Sequence, residues 1–256
     1  MDNTRVAVYT ALFGGYDRLR DPSGGREHDC DYICFTDQAI KSKVWKIVNI
    51  ESNVDDPVSL NRRYKILPHL YLGGYDKSLY LDANILVVSD PSSLAHKILC
   101  ASDMACPRHI ERDCIYKEAE ACIQLGKAPV EQTQTLLARY RSEGFPDCYG
   151  LTENNIIFRN HHVTSVTSLM NRWWTCFETG PARDQLSLMY LCWKYNFPIK
   201  ILESGAKDDN PHFRYRLHAS DLSANPFRKL SQFVSVNKYR GSTYSRLDKI
   251  AEYFRK

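Results

Sequence analysis

The run Ser78-Leu79-Tyr80-Leu81-Asp82-Ala83-Asn84-Ile85-Leu86-Val87-Val88 sets a carboxylate and a carboxamide two residues apart in an otherwise apolar stretch. An unpaired charge is costly in a core. Asp82 and Asn84 are therefore expected where a strand leaves the core, and the alternation of an extended chain turns both side chains the same way. Two hard oxygen ligands at this spacing suit Mg2+ or Mn2+ that keeps other positions for water and phosphate. By itself the pair reads more simply as a strand end with turn-forming Asp and Asn. The helical stretch just before it carries Arg62, Arg63 and Lys65, and a diphosphate needs such cations.

Other residues with chemistry lie further along. Arg183-Asp184-Gln185 opens an amphipathic stretch after Gly180-Pro181; Asp184 there serves as an ordinary first-turn carboxylate or faces a cleft. Glu153-Asn154 precedes a strand-like run, where Glu153 either binds hydroxyls, acts as a base or stays solvated. Arg108-His109 heads a charged loop. The segment Asp209–His218 mixes His212 and His218 with Arg214 and Arg216, so one imidazole could complete a Mn2+ shell and an arginine could hold phosphate. An exposed basic strand accounts for it equally well.

These residues need elements to position them. Arg5–Phe13 is almost continuously apolar, as in a strand covered on both faces, and ends in Gly14-Gly15-Tyr16-Asp17. Asp31–Asp37 and Val44–Ile50 read as further strands. Asp55-Asp56-Pro57 opens a helix over residues 59–72, interrupted near Pro68. The Asp82 strand follows, then a short helix (92–100) and a strand at Asp103–Pro107. Residues 114–125 and 129–143 form two helices, an insertion at about 110–145. Strand Asn155–Arg159, a helix over 162–177, a helix from Arg183 to Tyr195 and strand Ile199–Leu202 complete the alternation. Such a rhythm implies an α/β fold, with a mixed, mostly parallel sheet flanked by helices. Ligands then bind at the carboxyl ends of the strands, where Thr10, Asp37, Asp82, Asn84, Arg108, His109 and Asn160 are expected.

Composition narrows the class. Apolar residues make up 43% and charged residues 25% of the 256, as in ordinary folded proteins, and no stretch reaches the ~18 apolar residues of a membrane span. The start has no secretory pattern, so the expected location is cytoplasmic, as a whole protein or as a catalytic fragment of a larger one. Nine cysteines, an odd number and partly within apolar runs, point to reduced thiols. Cys30-x-x-x-Cys34 near His28 lacks the second pair of a zinc finger. The net charge is +4, with the basic excess past residue 205. No nucleic-acid-binding motif goes with it. A solvated face with a few phosphate contacts is the simpler expectation, and peripheral contact with an anionic membrane stays open. Gly-x-Gly-x-x-Gly, Walker A and Gly-x-Ser-x-Gly patterns are all missing.

Several short motifs occur in a characteristic order: Tyr9-Thr10-Ala11-x-Phe13-Gly14-Gly15-Tyr16-Asp17, Cys34-Phe35-Thr36-Asp37, Asn61-Arg62-x-Tyr64-Lys65, Tyr80-Leu81-Asp82-Ala83-Asn84, Arg108-His109, Glu118-Ala119, Tyr140-x-x-Glu143-Gly144, Glu153-Asn154 and Arg183-Asp184-Gln185-Leu186-Ser187. Together, over roughly residues 5 to 200, they resemble the TOD/MUCI glycosyltransferase-like family. The resemblance implies a GT-A-like (Rossmann-like) fold, a nucleotide-sugar donor, most simply a UDP-sugar, a glycan or polysaccharide acceptor and a divalent metal. Asp82 and Asn84 would then be the metal motif, with His212 or His218 added on chemical grounds alone. Thr10, Ala11, Tyr16 and Asp37 would flank the nucleoside, Arg63 and Arg214 would hold phosphate, and Asp184, Gln185 and Glu153 would face the reacting sugar. Having Asn84 in place of a second Asp lowers the negative charge offered to a cation. The implied organisation is one GT-A-like domain (1–205) and a basic extension (206–256) that packs on or closes the active site. The competing reading is a catalytically silent glycan- or nucleotide-binding module on the same scaffold. A metal-dependent phosphohydrolase would need a denser acidic cluster.

Overall fold

The computed structural model describes residues 5–51, 56–218 and 226–253, with side chains in the last stretch described for 229–250. Arg255 and Lys256 of the basic tail, Met1–Thr4 and Asp55 lie outside the described residues, as does the side chain of Arg228. A seven-stranded sheet runs in the order β3-β2-β1-β4-β7-β6-β8. Its strands are β1 (Val6–Leu12), β2 (Cys30–Thr36), β3 (Lys46–Asn49), β4 (Lys77–Leu81), β6 (Met104–Pro107), β7 (Ile156–Asn160) and β8 (Lys200–Leu202). Only β7 runs against its neighbours; β1, β2, β3 and β4 are mutually parallel, as are β6 and β8. This mixed, mostly parallel α/β sheet is consistent with a Rossmann-like glycosyltransferase fold.

All seven residues of β1 and all five of β4 are buried, as central strands covered on both faces require. Alternation sends Ala7, Tyr9, Ala11, Ile33, Phe35, Tyr80 and Cys106 to one face, under α1 (Pro57–Ile66), α3 (Ile115–Gln124), α5 (Thr164–Thr179) and α6 (Leu188–Lys194). Val6, Val8, Cys34, Leu79, Leu81 and Phe158 face α2 (Ser92–Ala101) on the other side. The expected insertion is α3 together with α4 (Val130–Ser142).

The first helix breaks where expected, and two other local outcomes differ from expectation. Helix α1 stops at Ile66, because Pro68 disfavours helical backbone at the residue before it; a 3-10 turn (Pro68–Leu70) follows. The apolar run around Asp82 is two strands rather than one. β4 ends at Leu81, the chain turns with Ile85 N donating to Asp82 O, and β5 (Ile85–Val87) pairs with β9 (Phe213–Tyr215) in a separate two-stranded sheet. The stretch from Arg183 is a 3-10 turn (Asp184–Leu186) before α6, not one helix. Beyond β9, α7 (Pro226–Asn237) and α8 (Ser242–Tyr253) form a helical pair. No helix among the described residues is long and apolar enough to cross a membrane.

Candidate active site

Because β7 is reversed, the carboxyl ends of β1, β2, β4, β6 and β8 and the amino end of β7 share one edge. Gly14, Asp37, Asp82, Arg108 and Glu153 come together there, and Asn160, at the other end of β7, does not. Asn160 instead donates to Leu99 O and Asp103 Oδ1 on the amino edge. The turn after β1 needs glycine: Gly14 has φ +68°, and a Cβ would meet Pro57 at 2.7 Å. Its N–H donates to both oxygens of Asp37. Beside it, Asn61 Nδ2 donates to Ala11 O at 2.6 Å, and Tyr16 is 64% exposed, its ring 5.1 Å from that of His218. Thr10, in mid-strand, is buried with no partner for its hydroxyl, so it presents no surface to a nucleoside.

At the centre of the edge, Asp82 keeps a 35% exposed side chain. Tyr80 O–H donates to Asp82 Oδ1 at 2.8 Å, and Lys65 Nζ lies 3.6 Å from the same oxygen. Lys65, itself buried, also reaches Asp184 Oδ2 at 2.8 Å, while Arg62 Nε donates to Asp184 Oδ1 at 3.1 Å. Burial alone would raise the Asp184 pKa; the charges of Lys65 and then Arg62 outweigh it and hold the carboxyl well below the usual range. A carboxylate gripped by two cations is a poor proton acceptor. Its backbone O accepts from Trp173 Nε1 at 2.8 Å, which fixes the 3-10 turn against α5. Gln185 Nε2 donates to Thr152 O, tying that turn to the segment before β7. There Glu153, buried, pairs with Lys207 at 2.6 Å and accepts from Asn155 Nδ2.

The cations that reach this centre are Arg62 and Lys65, whereas Arg63 is exposed. Residues 62 and 65 are three apart and share a helix face, and 63 is turned about 100° away. Helical spacing in Asn61-Arg62-x-x-Lys65 was the signal that would have separated them.

The strand β9 brings in the last group. His218 Nδ1 lies 2.8 Å from Asp17 Oδ2, and Nε2 lies 3.2 Å from Asn84 Nδ2, which also donates to Arg216 O. A proton on Nδ1, donated to Asp17, leaves Nε2 as the lone-pair atom. The Asp17 carboxyl is accordingly held below its usual pKa: burial opposes this, and the His218 and Arg18 hydrogen bonds prevail. His212 is not part of this group. It sits opposite Val88 and contacts Ser89 Oγ through Nδ1 at 2.9 Å, four strand residues from Asn84, or about 13 Å at ~3.3 Å each. Arg214 folds back on Asn210 O and on Asp209 at 3.6 Å.

One cluster of three His, Cys or acidic ligand atoms within 4.8 Å occurs among the described residues: His28, Cys30 and Asp90. It lies at the amino edge beside a cavity of about 480 Å3. Each member has a structural task there. Asp90 accepts from Asp29 N and Ser92 N, His28 Nδ1 meets Tyr32 O–H, and burial pushes the Cys30 thiol up to about 12. Ligands of open α/β sheets bind at the carboxyl ends of the strands, which is the opposite edge.

A model of the TOD1/MUCI70 glycosyltransferase-like domain matches residues 35–204. The chain belongs to that family. The match runs from the end of β2 through β8 and so takes in Asp37, Arg62, Lys65, Asp82, Asn84, Glu153 and Asp184. No curated protein matches the chain. The family supports a glycosyltransferase role and, with it, a sugar donor and an acceptor.

Proposed function

We propose that this protein transfers a glycosyl group from a nucleoside diphosphate sugar, most simply a UDP-sugar, to a glycan hydroxyl at the carboxyl edge of its sheet. The observations that support this best are Asp82 beside the buried Lys65, which with Arg62 also grips Asp184, and His218 beside Asn84, two residues after Asp82.

Asp82, Asn84 and His218 have the ligand chemistry of a divalent-cation site. One carboxylate, one carboxamide and one imidazole make an O,O,N donor set suited to Mn2+ or Mg2+. Asp17 orients the imidazole from behind, as carboxylates do for metal-bound histidines. The 3.2 Å between the Asn84 amide and His218 Nε2 is close to the ~3 Å between adjacent ligands of a cation bound at about 2.1 Å. To present Oδ1 to the cation the amide must turn, which gives up its hydrogen bond to Arg216 O. A cation held there supplies Lewis-acid neutralisation of the departing diphosphate.

The chain's own residues supply the rest. Lys65 and Arg62 add fixed positive charge beside Asp82, and such charge stabilises a leaving group without reorganising. Asp184 acts through them: it holds both cations in register under the site and is an electrostatic anchor rather than a base. Asp37 shapes the Gly14 turn that borders the nucleoside side, and exposed Tyr16 offers a ring face to a base. Glu153, with Lys207 beside it, binds acceptor hydroxyls. The C-terminal extension contributes to the site through His218, beside Asn84 and Asp17.

Isothermal calorimetry of UDP with and without Mn2+ tests the reading on the wild type and on Asp82→Ala. Manganese-dependent binding that disappears in Asp82→Ala, while cooperative unfolding is retained at a melting temperature lowered by the loss of the acceptor for Tyr80 O–H, is the expected result. Equal binding in both proteins would remove Asp82 from the metal site. Slow hydrolysis of UDP-sugars by the wild type favours the enzyme over a silent glycan-binding module.

A further inference from the structure

Among the described residues, the helical pair α7–α8 leaves four large apolar side chains exposed. Leu230, Phe233, Leu247 and Ile250 are 63%, 41%, 43% and 57% exposed. The Phe233 ring lies 6.0 Å from Tyr244 in edge contact, so the apolar side chains of the two helices approach one another across the hairpin. On α8, Asp248 marks the inward side: it is buried and lies 4.0 Å from Lys238. At about 100° per residue Leu247 and Ile250 are turned away from it, with Arg246 about 40° and Lys249 about 100° from Ile250 on the side away from Leu247. Both of those cations are exposed, and Lys229 is half-buried. Between residues 229 and 250 the sequence holds Lys229, Lys238, Arg240, Arg246 and Lys249 against a single carboxylate, that of Asp248. The exposed surface of the hairpin therefore combines apolar and cationic side chains.

We infer that α7–α8 docks this protein on an anionic membrane surface, with Leu230, Phe233, Leu247 and Ile250 entering the headgroup boundary and Lys229, Arg246 and Lys249 meeting lipid phosphates. Amphipathic helices bind bilayers through this pairing of apolar insertion and electrostatic attraction. Charge complementarity selects an anionic bilayer over a second copy of the chain, because two such faces brought together would oppose like charges. The root of the hairpin is fixed to the site edge: Lys238 pairs with Glu111 at 2.9 Å, Tyr239 O–H donates to the same carboxylate, and Arg240 Nε donates to Asp208 O. Docking would thus hold the carboxyl edge of the sheet near the bilayer. The inference does not depend on glycosyl transfer.

Co-sedimentation of the full chain with phosphatidylcholine vesicles, with and without about 30 mol% phosphatidylserine and at about 0.1 M salt, tests it. The wild type is expected to sediment with the anionic vesicles alone and to be released by 1 M salt, on the order of ten times higher. Leu247→Glu/Ile250→Glu should abolish sedimentation. Lys229→Gln/Arg246→Gln/Lys249→Gln should weaken it about a hundredfold, at roughly fivefold per charge removed. Equal sedimentation with both vesicle types, or none with either, overturns the inference from the wild type alone. A concentration-dependent dimer that is lost in Leu247→Glu/Ile250→Glu, without vesicle binding by the wild type, overturns it in favour of self-association.

Discussion

Asp184→Asn is the most informative single change, because it keeps the shape of a buried side chain and removes only its charge. In the wild type the carboxylate lies 2.8 Å from Lys65 Nζ and 3.1 Å from Arg62 Nε, and the side chains of Asp184 and Lys65 are 6% and 3% exposed. Removing one partner of a buried pair costs about 3–5 kcal/mol, since the other charge is left uncompensated. Two features place the cost at the low end: Lys65 keeps Asp82 at 3.6 Å, and the new amide oxygen still accepts from Arg62. A loss of about 3 kcal/mol corresponds to a melting temperature lower by roughly 6–12 °C for a chain of this size.

The pH dependence gives a second and independent readout. The folded carboxyl titrates below its unfolded value of about 3.9. Its stabilisation is therefore complete above roughly pH 4–5 and is lost as the pH falls toward the folded pKa. The gap between wild type and Asp184→Asn should be widest near neutrality and shrink below about pH 4. Urea titrations of both proteins from pH 7 down to pH 3 measure it. A gap under about 1 kcal/mol at neutral pH, or one that stays constant with acidification, would refute the ion-pair account.

The remaining expectations concern the edges of the site. His218→Ala should abolish the manganese dependence of UDP binding, whereas His212→Ala, altering a residue that contacts Ser89, should leave it unchanged; calorimetry separates the two. Thr10→Val should be neutral or slightly stabilising in chemical denaturation, because it removes a buried hydroxyl without a partner at constant shape, and a loss of UDP affinity would show that Thr10 reaches the nucleoside. Gly14→Ala should cost about 1–3 kcal/mol, since φ is +68° and the added Cβ meets Pro57 at 2.7 Å; a melting temperature equal to wild type would contradict the turn geometry.

Much of the scaffold was legible from pattern alone. The apolar runs at Val6–Leu12 and Lys77–Leu81 became the central strands, because a strand covered on both faces has no polar alternation to hide it. Pro68 ended α1, and the carboxylate at position 82 ended β4, each through a local backbone or solvation cost. Local spacing also held the difference between Arg62 and Arg63, although only the packed helix face made it visible.

Other features depended on contacts between residues far apart in the chain. The direction of β7 put Glu153 at the site and Asn160 at the opposite edge, and a five-residue strand has the same sequence pattern in either direction. The pairing of β5 with β9 brought His218 to Asn84 and Asp17, at separations of 134 and 201 residues, and carried His212 out of reach. Asp184 became an anchored ion rather than an available base because Lys65, 119 positions earlier in the sequence, is buried against it. Residue types and short spacings thus determined which groups have the chemistry. Only tertiary packing decided which of them meet, since charge, burial and strand direction are properties of neighbours that the local sequence does not name.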